Sequence, residues 1–560
     1  MPHREEFLGH PKGLYILFFT EMWERFSYYG MRAILVLYII SSASGDNPGL
    51  GWSNSDALWL YGWYTMLVYV ASIPGGWLAD KFIGQKKAVL LGGLLLCAGH
   101  MILAVEQMWA FYTGLSLIIL GVGGLKPNIS TMVGGLYKAG DIRRDKGFTI
   151  FYIGINVGAF LSSIIVGYVG ETIGWHYGFG LAGIGMLLGQ AVFMWGQKYL
   201  AGIGDFIGAK DSTDPEAAKR PLTKIEKDRV IVLLISFLII IVFWGAFEQA
   251  GGLMNIYAKE KINRFIGNWE VPASVFQSVN AFFIITLGTL IAGFWATRKL
   301  KGKESSSIFK MAMGTIIMGL GFLFMAKASI DVSAADSGKA SMILLILAYL
   351  FHTIGELCAS PVALSFITKL APIKYASIMM GVYFAATGFG NKLAGSIGEA
   401  SQIEPVNVEL IASFEDLSGL VEDSVLTNGQ NFNLNGTIYL NEGDFVLTDE
   451  NGLDLSTFVS FNNENKVRLT EMLLDEDGSS ENQLHATILM ERGDVTEGAA
   501  VSLEQYSGEV VVEEVANAQE LKTFLAITFL TVIFGILLIL FLKKLKALTH
   551  GAEDDEAELA

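Results

Sequence analysis

Four ionisable side chains fall inside one apolar stretch: Glu21, Glu24 and Arg25 in EMWERFSYYG (21–30), and Arg32 just beyond it, between GLYILFFT and MRAILVLYII. A charge near the centre of a bilayer costs about 2.5–3.5 kcal/mol, so four of them facing lipid would cost about 10 kcal/mol or more. They must face water, one another or a ligand. At 100° per residue, Glu21, Arg25, Tyr28 and Arg32 follow i, i+4, i+7, i+11 on one narrow stripe, with Glu24 and Tyr29 on its flanks. Arg25 can pair with Glu21 one turn back. Carboxylates beside guanidinium groups in a desolvated place can bind protons and recognise a charged ligand.

Further polar residues stand singly in apolar surroundings: Lys126 in LGVGGLKPNIS, Asn156 in FYIGINVGAF, Glu248 in FWGAFEQAGG, Asn280 in FQSVNAFF and Glu356 in FHTIGELCASP. An ionisable residue inside a membrane span points to function, and the alternative for each one alone is a salt bridge that locks helices. As a set, three basic groups (Arg25, Arg32, Lys126) and four acids (Glu21, Glu24, Glu248, Glu356) make a zwitterionic site for a ligand with a positive and a negative end. We expect Arg32 to pair with Glu248, and Lys126 with Glu356, in at least one conformation and across opposite halves of the chain, because an unpaired charge there costs several kcal/mol. Such pairs would act as gates, holding one side shut until ligand competes. A ligand carboxylate that captures a basic group would leave its former carboxylate partner to take up a proton, which links ligand and proton binding. His100 and His352 also lie in spans and could titrate near neutrality, but are expected first to pack between helices.

These residues need elements to carry them, and the composition says which. The chain has 560 residues, 52% hydrophobic and only 17% charged, with 63 Gly and mean hydropathy +0.46. Soluble domains carry nearer 25% charge, so this is read as a polytopic protein of the lipid bilayer. The two cysteines, Cys97 and Cys358, lie in apolar spans and give no disulfide framework or metal spacing, and no cofactor is expected. The N-terminal MPHREEFLGHPKG has no signal-peptide h-region, so the first span is expected to direct insertion. The net charge of −16 resides in one place: between Ser401 and Asn517, 24 Asp and Glu face three Lys and Arg, giving −21 and leaving +5 for the rest.

Twelve spans are expected, at roughly 13–42, 55–80, 86–105, 107–134, 147–170, 176–200, 228–258, 274–297, 308–327, 340–365, 374–400 and 518–543. Loops after even-numbered spans are short or basic (QKK, RRDK, KRPLTKIEKDR, RKLKGK and the terminal KKLK). The others are poor in Lys and Arg except KEKINR at 259–264, so both termini are expected in the cytoplasm. The domains are then 1–200, a six-helix bundle; 201–227, a cytoplasmic linker; 228–400, spans seven to eleven; 401–517, extracytoplasmic; 518–543, span twelve; and 544–560, a cytoplasmic tail. GGWLADKFIGQKK (75–87) echoes AGFWATRKLKGK (292–303), as expected of parallel six-span halves with a ligand site between them. The acidic segment alternates in GTIYL, DFVLTD and GEVVVEEV, with Asn428-Gly429, Asn435-Gly436 and Asn451-Gly452 as turn signals, and is read as a β-sandwich of unknown partner.

EMWERFSYYG resembles, at every fixed position, the ExxERFxYYG motif of the proton-dependent oligopeptide transporters, a branch of the major facilitator superfamily. FYIGINVGAF, FWGAFEQ and HTIGELCASPVALSFITKLAP resemble the same family. The resemblance implies an all-α major facilitator fold and proton-coupled symport of di- and tripeptides. It implies proton handling by Glu21, Glu24 and Arg25, and peptide carboxylate binding by Arg32 and Lys126. It implies amino-terminus binding by Asn156, Asn280 and Glu356, with Tyr28, Tyr29 and Tyr69 lining the pocket. The chain departs from the family at Tyr383, where a tryptophan is usual, and in span two, which lacks the histidine of animal members. The linker 201–227 is too short for the two extra helices of many bacterial members, and the inserted segment follows span eleven rather than span nine.

The alternative on the same fold is a proton-coupled transporter of another small solute or an anion such as nitrate; Glu21, Glu24 and Glu356 together favour an amine-bearing substrate. A membrane hydrolase would need a nucleophile with a base or a metal pair, and neither HExxH nor GxSxG occurs, so no enzyme activity is expected. A receptor or adhesion role for 401–517 is a further alternative. Nothing suggests a nucleic-acid partner. The expected location is the plasma or inner membrane.

Overall fold

The computed structural model of the chain describes residues 5–137, 141, 143–205, 222–334, 338–371, 376–402 and 514–552, together with eight short strand segments between 431 and 509. Long helices dominate: α1 Lys12–Ile40, α2 Asn54–Val70, α3 Ser72–Leu78, α4 Gln85–Leu103, α5 Met108–Gly135, α6 Arg143–Thr172 and α7 Trp175–Trp195 in the first part. The second part carries α8 Lys224–Phe247, α9 Leu253–Glu260, α10 Ser278–Leu300, α11 Ser307–Ala334, α12 Met342–Leu370, α13 Ala376–Ser401, α14 Glu514–Leu540 and α15 Leu542–Thr549. Among the described residues, nine helical runs are long and apolar enough to cross a membrane by length and composition. α1 falls outside that set because of the very charges that make its polar stripe.

Two expected spans are not single rods. The second bends at Ala71, where α2 gives way to α3 and then to a π-turn over Ala79–Ile83. The seventh breaks just where its charge lies: α8 ends at Phe247, a 3₁₀ turn covers Glu248–Ala250, and α9 starts only at Leu253. Gly251-Gly252 is the cause, since consecutive glycines in a helix lose backbone order at about 1 kcal/mol each relative to alanine. The break is held by Tyr349, whose hydroxyl donates to the Ala250 carbonyl at 3.3 Å, and by Gln249, which donates to the Ala394 carbonyl at 3.0 Å.

Helices approach closely where glycines face each other. On α4 and α5, a Cβ at Gly99 would lie 2.9 Å from the Gly114 carbonyl oxygen, and one at Gly114 an equal 2.9 Å from that of Gly99. Where lipid is the alternative to a neighbouring helix, such small-residue seams supply dispersion contacts that larger side chains would prevent. The start of α8 is fixed by a capping box in TKIE: Thr223 Oγ1 accepts from the Glu226 amide at 3.2 Å, and the Thr223 amide donates to Glu226 Oε2 at 2.7 Å.

The part before residue 206 meets the part after 221 along α2 with α13, α6 with α10, and α1 with α9. Polar bonds joining the two halves gather at the end farthest from that linker. Asn255 donates to the Ala33 carbonyl at 2.9 Å, Lys259 to Ser41 Oγ at 2.6 Å and Asn54 to Glu260 at 3.2 Å, while Glu171 accepts from the amides of Ala273 and Ser274 at 3.0 and 2.7 Å. At the linker end, the ion pairs Lys86–Asp205, Arg143–Glu6, Lys546–Glu304 and His550–Asp228 each stay within one half. The unexpectedly basic KEKINR is thereby explained: Lys259 bridges the halves, and Lys261 pairs with Glu520 at 2.9 Å.

In the acidic segment, 437–441 pairs antiparallel with 444–448 and 500–502, 459–462 with 466–469 and then 486–487, and 431–433 with 507–509. All three Asn-Gly turn signals lie outside the described residues; the tightest pairing, Asn441↔Asp444, closes elsewhere. GEVVVEEV is not a strand to its end, because Glu514 and Val515 already belong to α14. Of the expected tail, 544–549 continues α15, which packs on α8 and is tied there by Arg229 Nε to the Thr549 carbonyl at 3.1 Å; 553–560 lies outside the described residues.

Candidate functional site

The polar stripe of α1 is buried where the two halves meet. Glu21, Glu24, Arg25 and Arg32 are 3%, 0%, 3% and 8% exposed. Arg25 Nε lies 3.1 Å from Glu21 Oε1, the expected i+4 pair, and also contacts Glu24 Oε2, the adjacent residue. The guanidinium is further covered by the Tyr28 and Tyr29 rings, 5.5 and 5.7 Å from their centroids. Among the described residues, Glu21 Oε2, Glu24 Oε1 and Arg25 Nη2 are buried without a hydrogen-bond partner, so the cluster keeps unused acceptors and a donor.

About two turns beyond Arg25 on α1, Arg32 reaches the break of the seventh span. Its Nη1 donates to both carboxylate oxygens of Glu248, at 3.1 and 2.9 Å, and its guanidinium lies 5.1 Å from the Tyr29 ring. Tyr61 of α2 donates to the same Glu248 at 3.3 Å. This is the expected link between the halves, with Tyr61 as a third member that the sequence reading did not include. Its signal lies in YGWYTMLVY, where Tyr61, Tyr64 and Tyr69 recur near helical spacing and the family resemblance points to Tyr69 alone.

The expected pair Lys126–Glu356 does not form here. Lys126 Nζ sits 3.6 Å from the centroid of the Tyr69 ring and within electrostatic reach of Glu21, Glu24 and Arg25, so it completes the α1 cluster. Glu356 accepts from Asn280 Nδ2 at 2.9 Å, and the same amide donates to Thr353 Oγ1 at 3.0 Å. The reason is geometric: Lys126 comes from the first half and turns towards α1 and α2, while Glu356 of α12 is held by α10, its neighbour within the second half. Asn156 donates to the Tyr152 carbonyl of its own helix at 2.9 Å and joins neither cluster by hydrogen bond. Both histidines are buried with ring nitrogens unpartnered, His352 against the Phe322 ring at 4.5 Å, as packing residues.

With every group ionised, Glu21 and Glu24 balance Arg25 and Lys126, and Glu248 balances Arg32. Glu356 is left over: among the described residues it has an amide and no base as partner. A buried carboxylate with that partner alone is a place for a ligand ammonium or for a proton. The group set has no thiolate or imidazole cluster, and no group of three His, Cys, Asp or Glu suited to a metal occurs among the described residues.

The fold and the site thus define a helical integral membrane protein with a set of buried ion pairs within and between its helices. The POT family model matches residues 86–204 and 217–408, and the chain belongs to that family. The peptide transporter YePEPT of Yersinia enterocolitica is 34% identical over 457 residues, covering 71% of this chain and 89% of the relative. The di-/tripeptide transporter of Lactococcus lactis subsp. cremoris is 34% identical over 443 residues, covering 68% and 87%. A crystal structure of a peptide transporter POT in complex with sulfate superposes with a TM-score of 0.65 at 35% identity, over 71% of this chain and 90% of that one.

Proposed function

We propose that the chain is a proton-coupled symporter that carries di- and tripeptides into the cell by alternating access. The observation that carries the reading is the leftover carboxylate. Glu356, held by Asn280, faces a cleft that also contains Arg32 and Lys126, so a peptide ammonium and a peptide carboxylate each find an opposite charge. Asn156 and the rings of Tyr28, Tyr29 and Tyr69 complete the lining. The names borne by the relatives support a peptide rather than an anion as substrate.

In this reading the fold is twelve spans in two six-helix halves, 1–200 and 228–400 with 518–543. The linker 201–227 and tail 544–560 are cytoplasmic, and 401–517 is an extracytoplasmic β-sandwich. The concentration of cross-half bonds at the end far from the linker then makes this the inward-facing state. Peptide carboxylate competing for Arg32 would release Glu248, and protonation of Glu21 or Glu24 would weaken their hold on Arg25; either loosens one side of the cleft. The test is uptake of labelled dialanine into proteoliposomes with and without an inward-acid pH gradient. Accumulation only with the gradient supports symport, and equal uptake in both refutes proton coupling.

A further inference from the structure

α2 and α13 cross where Gly62 and Gly395 touch, a Cβ on Gly62 falling 3.0 Å from the Gly395 Cα. The crossing leaves a groove on the outside of the bundle, away from the charged cleft. Trp59 and Trp63 of α2 line it, 47% and 39% exposed, and Phe389 of α13 is 55% exposed beside it. Such a face belongs to lipid. Yet a lysine lies in it. The Lys392 stem runs across Gly62, its Cδ 3.4 Å from where a Cβ would stand, and Nζ lies 5.2 Å from the Trp63 ring centroid and 6.0 Å from that of Trp59.

A lysine at a lipid face snorkels towards the headgroups, and indoles favour the same level. The rings hold the charge but accept none of its three N–H donors, and among the described residues Lys392 has no carboxylate or carbonyl partner. An anion belongs there. The other charged groups on these two outer faces are Asp56, seven residues from Trp63, and Glu399, seven residues from Lys392. Both stand about 10 Å nearer the far end, two helical turns up, out of pairing range and at the depth of the membrane surface. The lysine ammonium is therefore level with the two indoles, and the carboxylates stand beyond it towards the membrane surface.

We propose that this groove binds a phospholipid of the phosphatidylethanolamine class, its acyl chain on the two tryptophans, its phosphate on Lys392 and its ammonium towards Asp56 and Glu399. Phosphatidylglycerol would satisfy the lysine but set no cation before the carboxylates. Phosphatidylcholine would bring a quaternary cation that donates no hydrogen bond.

The test uses the detergent-solubilised full chain, titrated with palmitoyl-oleoyl phosphatidylethanolamine, phosphatidylcholine or phosphatidylglycerol and followed by thermal unfolding and native mass spectrometry. Phosphatidylethanolamine should bind most tightly and raise the unfolding midpoint. Lys392→Gln should weaken it by about tenfold, the loss of a charge-assisted contact, while Lys392→Arg retains it. Asp56→Asn with Glu399→Gln should abolish the preference over phosphatidylcholine. Equal binding of the three lipids by the native chain, or an unchanged preference in the Asp56→Asn, Glu399→Gln variant, overturns the proposal even if Lys392→Gln does not fold. Because the readout is lipid binding, its failure is independent of whether peptide is transported.

Discussion

Arg32 and Glu248 join the two halves through one guanidinium nitrogen that donates to both carboxylate oxygens, at 2.9 and 3.1 Å, beside a backbone break that frees the glutamate from its helix. Both are buried, so deleting one leaves the other charge unpaired in a dry place. Glu248→Ala should lower stability by about 3–5 kcal/mol, whereas Arg32→Met with Glu248→Leu should recover most of it, since an apolar pair of similar size avoids desolvating charges. Thermal unfolding in detergent reads this, and dialanine uptake should be lost in both. Equal stability of the single and double variants would mean the pair is not coupled.

Glu24 shares Arg25 with Glu21 and keeps Oε1 unpartnered. If it carries the driving proton, Glu24→Gln keeps the shape and removes the titration. Counterflow of labelled dialanine should persist while accumulation driven by an acid gradient disappears. Unchanged gradient-driven accumulation excludes Glu24 from the proton path.

Much of this site was legible in the sequence because helical geometry is strict. The α1 stripe follows from 100° per residue, and the cost of a lone buried charge required Arg32 to have an acid partner. The same cost did not select among partners. Lys126 satisfies it with the Tyr69 ring and the acids of α1 rather than with Glu356, because choosing between two nearby acceptors needs the tertiary packing that sequence spacing lacks. The break at Gly251-Gly252 was visible as two glycines, but an apolar run reads as continuous until something takes over its backbone bonds, here Tyr349 and Gln249 from outside the segment. GEVVVEEV shows the converse failure: β-branched residues read as a strand, and the packed helix that follows claims Glu514 and Val515.

Lys126 and Tyr69 make a prediction of their own. A cation 3.6 Å from a ring centroid, shielded from water, is held by about 0.5–2 kcal/mol. Tyr69→Phe should leave the apparent KM for dialanine within about twofold, since the ring remains, while Tyr69→Leu should raise it severalfold. Lys126→Ala should raise it by about tenfold or more, as expected for loss of a charge-assisted hydrogen bond to the peptide carboxylate. An effect on kcat alone, with KM unmoved, would assign Lys126 to a step after binding.

At the linker end, Lys86 donates to Asp205 at 2.8 Å and holds its carboxyl below the usual carboxylate range. A group depressed in the folded state stabilises above its unfolded pKa and ceases to as pH falls through the folded one. Asp205→Asn should therefore lower the unfolding midpoint slightly at pH 7, and the difference should shrink as pH falls below the usual carboxylate range and through the depressed pKa of the folded carboxyl. A difference that grows as pH falls would have the wrong sign for this bond.

The residues that flank the acidic segment belong to the closure of the far end. Gln402 accepts from Asn54 of α2 at 3.1 Å, and Lys261 donates to Glu520 of α14 at 2.9 Å, so both junctions are tied into the place where the halves meet. The segment between them carries the chain's net negative charge, and the Arg25 and Arg32 ion pairs and the Asn280–Glu356 bond form without it. Its removal should then be harmless only if the junctions survive. Joining Gln402 to Glu514 by a Gly/Ser linker should leave uptake within about twofold, whereas the same deletion carrying Glu520→Ala should lose stability, because Lys261 is left half-buried without its acid. Loss of uptake by the first variant, inserted and stable, would show that the segment itself takes part in the transport cycle.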